Sequence, residues 1–223
     1  MSNHLHRSSR IYLLDAHTVV RMGLKYLVRD EPKLKIAGES GNATRGLKDL
    51  SKQKPDLLIM GLNLPGTYGL EFIKKLKSKF PELPILILST YEESLYAQRC
   101  LRAGAKGFIT IREGPTALLM GIRKVLKGHI FVGTPVSEIL LQKVGQSSDL
   151  PEPSLDLLSN RELEVFRLVG QGLRTTEIAH TLGLSHKTIE SYREKIKIKL
   201  NLSHASELLQ SAIQFARLEE FHP

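Results

Sequence analysis

The side chains best suited to chemistry lie close together near the C-terminus. Lys187, Thr188, Glu190, Ser191, Glu194, Lys195 and Lys197 occupy one side of a helical pattern running from His186 to Leu200. Ile189, Tyr192, Ile196 and Leu200 occupy the other, spaced by three, four and four residues. Basic side chains of this kind neutralise phosphates. Ser and Glu can bond to base edges, Glu by accepting from a cytosine amino group. The chemistry on offer is recognition of a polyanion.

Catalysis has no comparable support. No nucleophile–base pair and no phosphate-cradling Gly-rich loop can be picked out, and Gly38-Glu-Ser-Gly41 is too short for one. The eight histidines are scattered without ligand spacing. Cys100 stands alone, so a cysteine-based zinc cluster and an intramolecular disulfide are both excluded. The expectation is a protein that is not an enzyme and holds no cofactor or metal.

The recognition face must be positioned by a helix-turn-helix. Ala179 is small enough for two helices to cross, and Gly183, four residues on, can take the positive φ of the turn. Ile189 returns to the crossing, and Ser185 is placed to cap the second helix. Upstream, Ser159-Asn-Arg-Glu162 is a capping box opening another helix. Helical patterns at Thr175–Leu182, His186–Leu200 and His204–Leu218 complete a four-helix segment.

The first half reads differently. Ile11–Leu14, Leu34–Ala37, Leu57–Met60, Ile85–Leu88 and Gly107–Thr110 are short apolar runs alternating with amphipathic helical patterns. That alternation predicts a five-stranded parallel sheet, doubly wound with helices on both faces. Sites on such sheets form at the carboxyl ends of the strands, which singles out Asp15, Ala16, Gly61, Ser89 and Ile111. A short helix from Thr134 and the polar, proline-bearing stretch Gly145–Ser154 connect the halves. The expected division is therefore 1–128 for the α/β domain, 129–154 for the linker with its helix, and 155–223 for the helical domain.

Net charge is +9, yet residues 155–223 carry nine basic and nine acidic side chains, so the excess lies in the first 154 residues. If DNA is the partner, the second domain must act through where its charges sit rather than through their sum. The N-terminal decapeptide lacks the apolar core of a signal peptide, and no apolar run reaches membrane-spanning length. These features predict a cytoplasmic protein without membrane contact.

Leu158-Ser-Asn-Arg-Glu-Leu-Glu-Val-Phe-Arg-Leu-Val-Gly-Gln-Gly172, with Thr176-Glu-Ile-Ala179 and Ser185-His-Lys-Thr-Ile-Glu190, resembles a LuxR-type DNA-binding domain. The first half resembles the receiver of the same NarL/FixJ class of response regulators. The resemblance implies that His186–Leu200 enters the major groove of double-stranded DNA, with Glu190, Ser191 and Glu194 reading bases. Lys187, Thr188, Arg193, Lys195 and Lys199 would lie toward phosphates. It also implies a homodimer, for which Leu208, Leu209, Ala212, Ile213 and Ala216 form an apolar stripe that could equally pack within its own domain.

A phosphorylatable receiver of that class carries two acids after strand one, an Asp after strand three, Ser/Thr after strand four and Lys after strand five. Mg²⁺ needs converging oxygen ligands, and the phosphorylated Asp needs cations to offset its charge. Here the corresponding residues are Asp15 and Ala16, Gly61, Ser89 and Ile111. Three of the five positions depart from the pattern, which predicts a receiver-like domain without a phosphoacceptor. Regulation would then be independent of aspartyl phosphorylation. The alternative is gating by a small ligand or partner protein at the receiver-like domain.

Overall fold

The computed structural model describes residues 7–89, 94–134, 136–138 and 155–220. The chain forms two compact units, Met1–Leu141 and Gln142–Pro223. The expected linker Gly145–Ser154 and most of the expected helix from Thr134 lie outside the described residues.

The first unit is a parallel α/β sheet. Its strands are β1 (Ser9–Leu14), β2 (Leu34–Ser40), β3 (Leu57–Met60), β6 (Ile85–Ser89), β7 (Gly107–Thr110) and β8 (Phe131–Val132), in the order β2-β1-β3-β6-β7-β8. β4 (Asn63–Leu64) and β5 (Thr67–Tyr68) form a separate hairpin around Gly66, whose φ of 64° a side chain would resist. Strands β3, β6 and β7 are buried at every position, as apolar runs covered on both faces should be. The covering helices are α1 (Thr18–Arg29), α2 (Ala43–Gln53), α3 (Gly69–Lys79), α4 (Ser94–Arg102) and α5 (Gly114–Leu126).

The sheet has six strands where five were expected. Phe131 and Val132, assigned by sequence to the connecting region, pair in parallel with Gly107 and Phe108 of β7. Two residues are too few to show strand periodicity. Tertiary packing makes the strand. Phe131 is 6% exposed, its ring lies against α5 where Gly121 leaves no room for a β-carbon, and Lys124 sits over the ring at 5.6 Å. The added strand satisfies an edge of β7 that would otherwise be unpaired.

Strand order reverses between β1 and β3, which lie side by side with Leu14 opposite Met60. This switch point leaves a crevice beyond the carboxyl ends of both strands, where helices depart to opposite faces. Asp15 and Gly61 are the next residues on each strand.

The second unit is helical. A 3-10 turn at Leu155–Leu157, not separated in the sequence reading, precedes α6 (Asn160–Gly170), α7 (Thr175–Leu182), α8 (His186–Lys199) and α9 (Ala205–Glu220). Leu163, Val165, Phe166, Leu168 and Val169 of α6 are buried, as are Leu208, Ala212, Phe215 and Ala216 of α9. The Phe166 and Phe215 rings pack at 5.6 Å with a 46° tilt. Gly170 lets the helices close up, since a β-carbon there would overlap the Ala212 carbonyl. Among the described residues no helix is long and apolar enough to cross a membrane.

Candidate functional site

In the first unit, the carboxyl ends of β1 and β3 place Asp15 beside Gly61, whose amide donates to the Leu14 carbonyl at 2.9 Å. Asp15 is largely buried. Its Oδ1 accepts from the His17 amide at 2.7 Å and lies 3.0 Å from His17 Nδ1. Its other oxygen, Oδ2, stands over Gly61, so that a β-carbon built on Gly61 would lie within the van der Waals envelope of that oxygen. Arg21 secures the loop from below, donating to the Asp15 carbonyl at 2.6 Å and the Ala16 carbonyl at 3.3 Å.

Ser89 is buried at the end of β6, paired in register with Thr110. Ile111 follows Thr110 in a 3-10 turn, Ile111–Glu113, and is 42% exposed. Asp15, Gly61, Ser89 and Ile111 thus meet around one cavity of about 20 Å³, room for about one water molecule. Ala16 does not line it. Mg²⁺ does not fit these residues. It requires several converging oxygen ligands, whereas among the described residues Asp15 is the one carboxylate lining the cavity and is already bonded to His17. Among the described residues no group of three or more His, Cys, Asp or Glu could hold a metal.

Two residues at this end escaped the sequence reading. His17 holds Asp15 from two positions on, an Asx-type local bond. Glu113 accepts from the Thr110 amide at 3.0 Å and from the Thr134 amide at 3.0 Å, joining the ends of β7 and β8. Thr110-Ile-Arg-Glu113 is itself a capping box, so a local signal existed.

In the second unit the expected helix-turn-helix forms. Gly183 takes φ 64° at the end of α7, Ser185 Oγ accepts from the Thr188 amide at 3.1 Å, and Ile178, Ala179, Ile189 and Ile196 are buried. Lys187, Ser191, Glu194 and Lys195 are exposed at spacings that form one helical stripe. Arg193 is half-buried. The remaining three candidates are engaged within the unit. Thr188 Oγ1 shares the cap with Ser185 at 2.7 Å, and Glu190 accepts from Thr175 Oγ1 at 2.8 Å. Lys199 reaches back to Glu162 at 2.6 Å, inside the capping box of α6. A helical wheel cannot see the bonds of Glu190 and Lys199, because Thr175 and Glu162 lie on other helices.

The apolar stripe on α9 is largely an internal surface. Leu208, Ala212 and Ala216 are buried, Ile213 is half-buried, and Leu209 is 42% exposed.

Two neighbouring carboxyls on α6 titrate in opposite directions. Burial opposes ionisation of Glu162, yet the Lys199 ammonium and the Ser159 amide overcome it and hold the carboxyl below its ordinary range. Burial pushes Glu164 up to about 7, against the pull of Arg167 and Arg161, and its buried Oε2 has no hydrogen-bond partner. The Glu164 contribution is present in full below 4.5, its value when unfolded, and is lost as pH rises through about 7. Thermal melts of Glu164→Gln should show a flatter stability profile across that window, with the variant gaining up to about 3 kcal/mol over the parent at pH 8. Parallel profiles would contradict this. Glu162 acts conversely: its contribution is present above the ordinary carboxylate range and is lost as pH falls.

A parallel sheet with its crevice at the β1/β3 switch point, followed by a helix-turn-helix unit, defines a receiver joined to a DNA-binding output domain. Residues 11–123 match the response regulator receiver domain, and residues 156–212 match the bacterial regulatory proteins of the luxR family. The chain belongs to the response regulators that carry a luxR-type output domain. It is similar to the oxygen regulatory protein NreC of Staphylococcus epidermidis, 30% identical over 216 residues, covering 94% of this chain and 99% of that protein. It is also similar to the transcriptional activator protein ExaE of Pseudomonas putida, 32% identical over 204 residues, covering 92% and 95%. Among solved structures, the RcsB response regulator of Salmonella typhimurium superposes with a TM-score of 0.75 at 25% identity, covering 94% and 98%. RcsB bound to the promoter rprA in the presence of the phosphomimetic BeF3- gives 0.71 at 26%, covering 93% and 99%.

Proposed function

We propose that this protein regulates transcription by binding double-stranded DNA through α8, as a homodimer, without aspartyl phosphorylation of its receiver. The observation carrying the phosphorylation-independent part is the Asp15 carboxylate standing over Gly61. Gly61 has no side chain to accept a phosphoryl group, and the space beside it is filled. Ile111 supplies no cation and Ala16 no second carboxylate, so neither the metal nor the phosphoryl charge would be offset.

Binding to DNA is supported by family membership and by the exposed stripe on α8. Lys187 and Lys195 would meet phosphates, with Thr188 and Arg193 on the same side, while Ser191 and Glu194 read base edges. Glu190 would read a base from a position set by its bond to Thr175, and Lys199 would contribute charge from its pairing with Glu162. A homodimer would present two such helices to the half-sites of a palindromic operator.

The test is fluorescence anisotropy of the untreated full-length protein against a selected pool of short duplexes, with salt varied. Sequence-selective binding is expected with no phosphodonor, and beryllofluoride with Mg²⁺ should change neither affinity nor oligomeric state. A clear response to beryllofluoride would overturn the reading. Lys187→Ala should weaken binding on all sequences alike and lower the salt slope by about 1. A change in base preference alone would place Lys187 on a base rather than a phosphate.

A further inference from the structure

The chain departs from the receiver pattern at residue 111 by substituting an apolar side chain for a cation, and the structure shows where that apolar surface faces. A cleft of about 570 Å³ runs between α1 and α5. Val20, Leu24 and Leu27 form one wall, Leu118 and Leu119 the other, and Ile111 closes the inner end. Its size falls within the range of small-molecule sites, which are mostly apolar with few polar groups. At its inner end the cleft shares Val20, Leu88 and Ile111 with the small cavity at Asp15 and Gly61. The residue that leaves the switch point without a cation therefore gives this cleft a continuous apolar interior.

The polar lining limits what could enter. Asp30 accepts from Arg29 at 3.1 Å, Glu31 from Arg123 at 2.7 Å, and the Thr110 hydroxyl donates to Glu113 at 3.3 Å. These groups are already partnered, so an occupant needs few hydrogen bonds. Both carboxylates flanking the cleft are offset by these arginines, so the lining favours neither sign of charge on an occupant. We infer that the α1–α5 cleft is a binding site for a small, uncharged, largely apolar molecule. The inference rests on the reading of a receiver without aspartyl phosphorylation, in which the cleft would offer another input.

The test titrates full-length protein with N-phenyl-1-naphthylamine, an uncharged apolar fluorophore. Saturable 1:1 binding is expected. Ile111→Lys restores a charge at the inner end and should weaken binding at least about tenfold. Gly23→Leu should weaken it to a similar degree by filling the cleft, since Gly23 lines it and faces open space. That change also favours the helix, so loss of fold would not explain the result. Met22→Ser, on the outer surface of α1 and not in the cleft lining, should leave affinity unchanged. Absence of saturable binding overturns the site. So does binding that weakens as protein concentration rises and is restored by Met22→Ser, because a second copy would then cover the cleft. A response to beryllofluoride would remove the phosphorylation reading while leaving the probe result standing, so the two failures are distinguishable.

Discussion

Phe166→Ala should unfold the DNA-binding unit and abolish operator binding at 37 °C. The Phe166 ring is 1% exposed at the centre of α6 and packs against Phe215 of α9 at 5.6 Å, so its removal opens a cavity between the two helices that carry most of the unit's core. Large-to-small changes of this kind cost about 3–5 kcal/mol. A helical unit of this size has a total stability of about 3–10 kcal/mol, so the loss is comparable to the whole. Gly170→Ala should act in the same direction through the opposite defect. Alanine is the better helix former by about 1 kcal/mol, but its β-carbon would overlap the Ala212 backbone, and the helices must part at a cost of about 1–3 kcal/mol. The measurement is a circular dichroism melt together with anisotropy. A Phe166→Ala protein with an unchanged melting curve would show that the α6–α9 contact is not what holds the unit.

On the proposed reading Gly61→Asp supplies the missing acceptor, yet the expected result is an unstable receiver rather than a functioning one. The new β-carbon would meet Asp15 Oδ2, so Asp15 must rotate away from its two bonds to His17. Two carboxylates would then face each other in a cavity of about 20 Å³ without a metal site to reconcile them. The expected loss is about 2–3 kcal/mol, from the broken bonds and the repulsion together. Repulsion requires both groups to be ionised, so the loss should be larger at pH 8 than at pH 4. Gly61→Ala brings the overlap without the charge and should show little of that pH dependence. Beryllofluoride with Mg²⁺ should fail to stabilise Gly61→Asp, since Ile111 and Ala16 still withhold the cation and second carboxylate. Full stabilisation by beryllofluoride would mean that Gly61 alone separates this receiver from a phosphorylatable one.

Legibility followed the range of each interaction. The helix-turn-helix could be read because its signals are local: the Ser159–Glu162 box, Gly183 at the turn and Ser185 at the cap each act within four residues and each forms as expected. The four central strands could be read because burial on both faces writes a continuous apolar run into the sequence. The sixth strand could not, because Phe131 and Val132 become a strand only by meeting β7 and α5. For the same reason a helical wheel placed Glu190 outward, and the family resemblance put Lys199 toward phosphates, when their partners Thr175 and Glu162 lie 15 and 37 residues away.

The sequence by itself determined the class of fold, the order of the two units and the helix-turn-helix pattern, since periodicity, capping and turn chemistry are properties of neighbouring residues. Only the tertiary structure decided that the Asp15 carboxylate occupies the space above Gly61, that α9 spends its apolar stripe on α6, and that Ile111 opens into a cleft between α1 and α5. Those are contacts between residues distant along the chain. Which groups meet depends on how closely backbones approach, a quantity that no stretch of sequence contains.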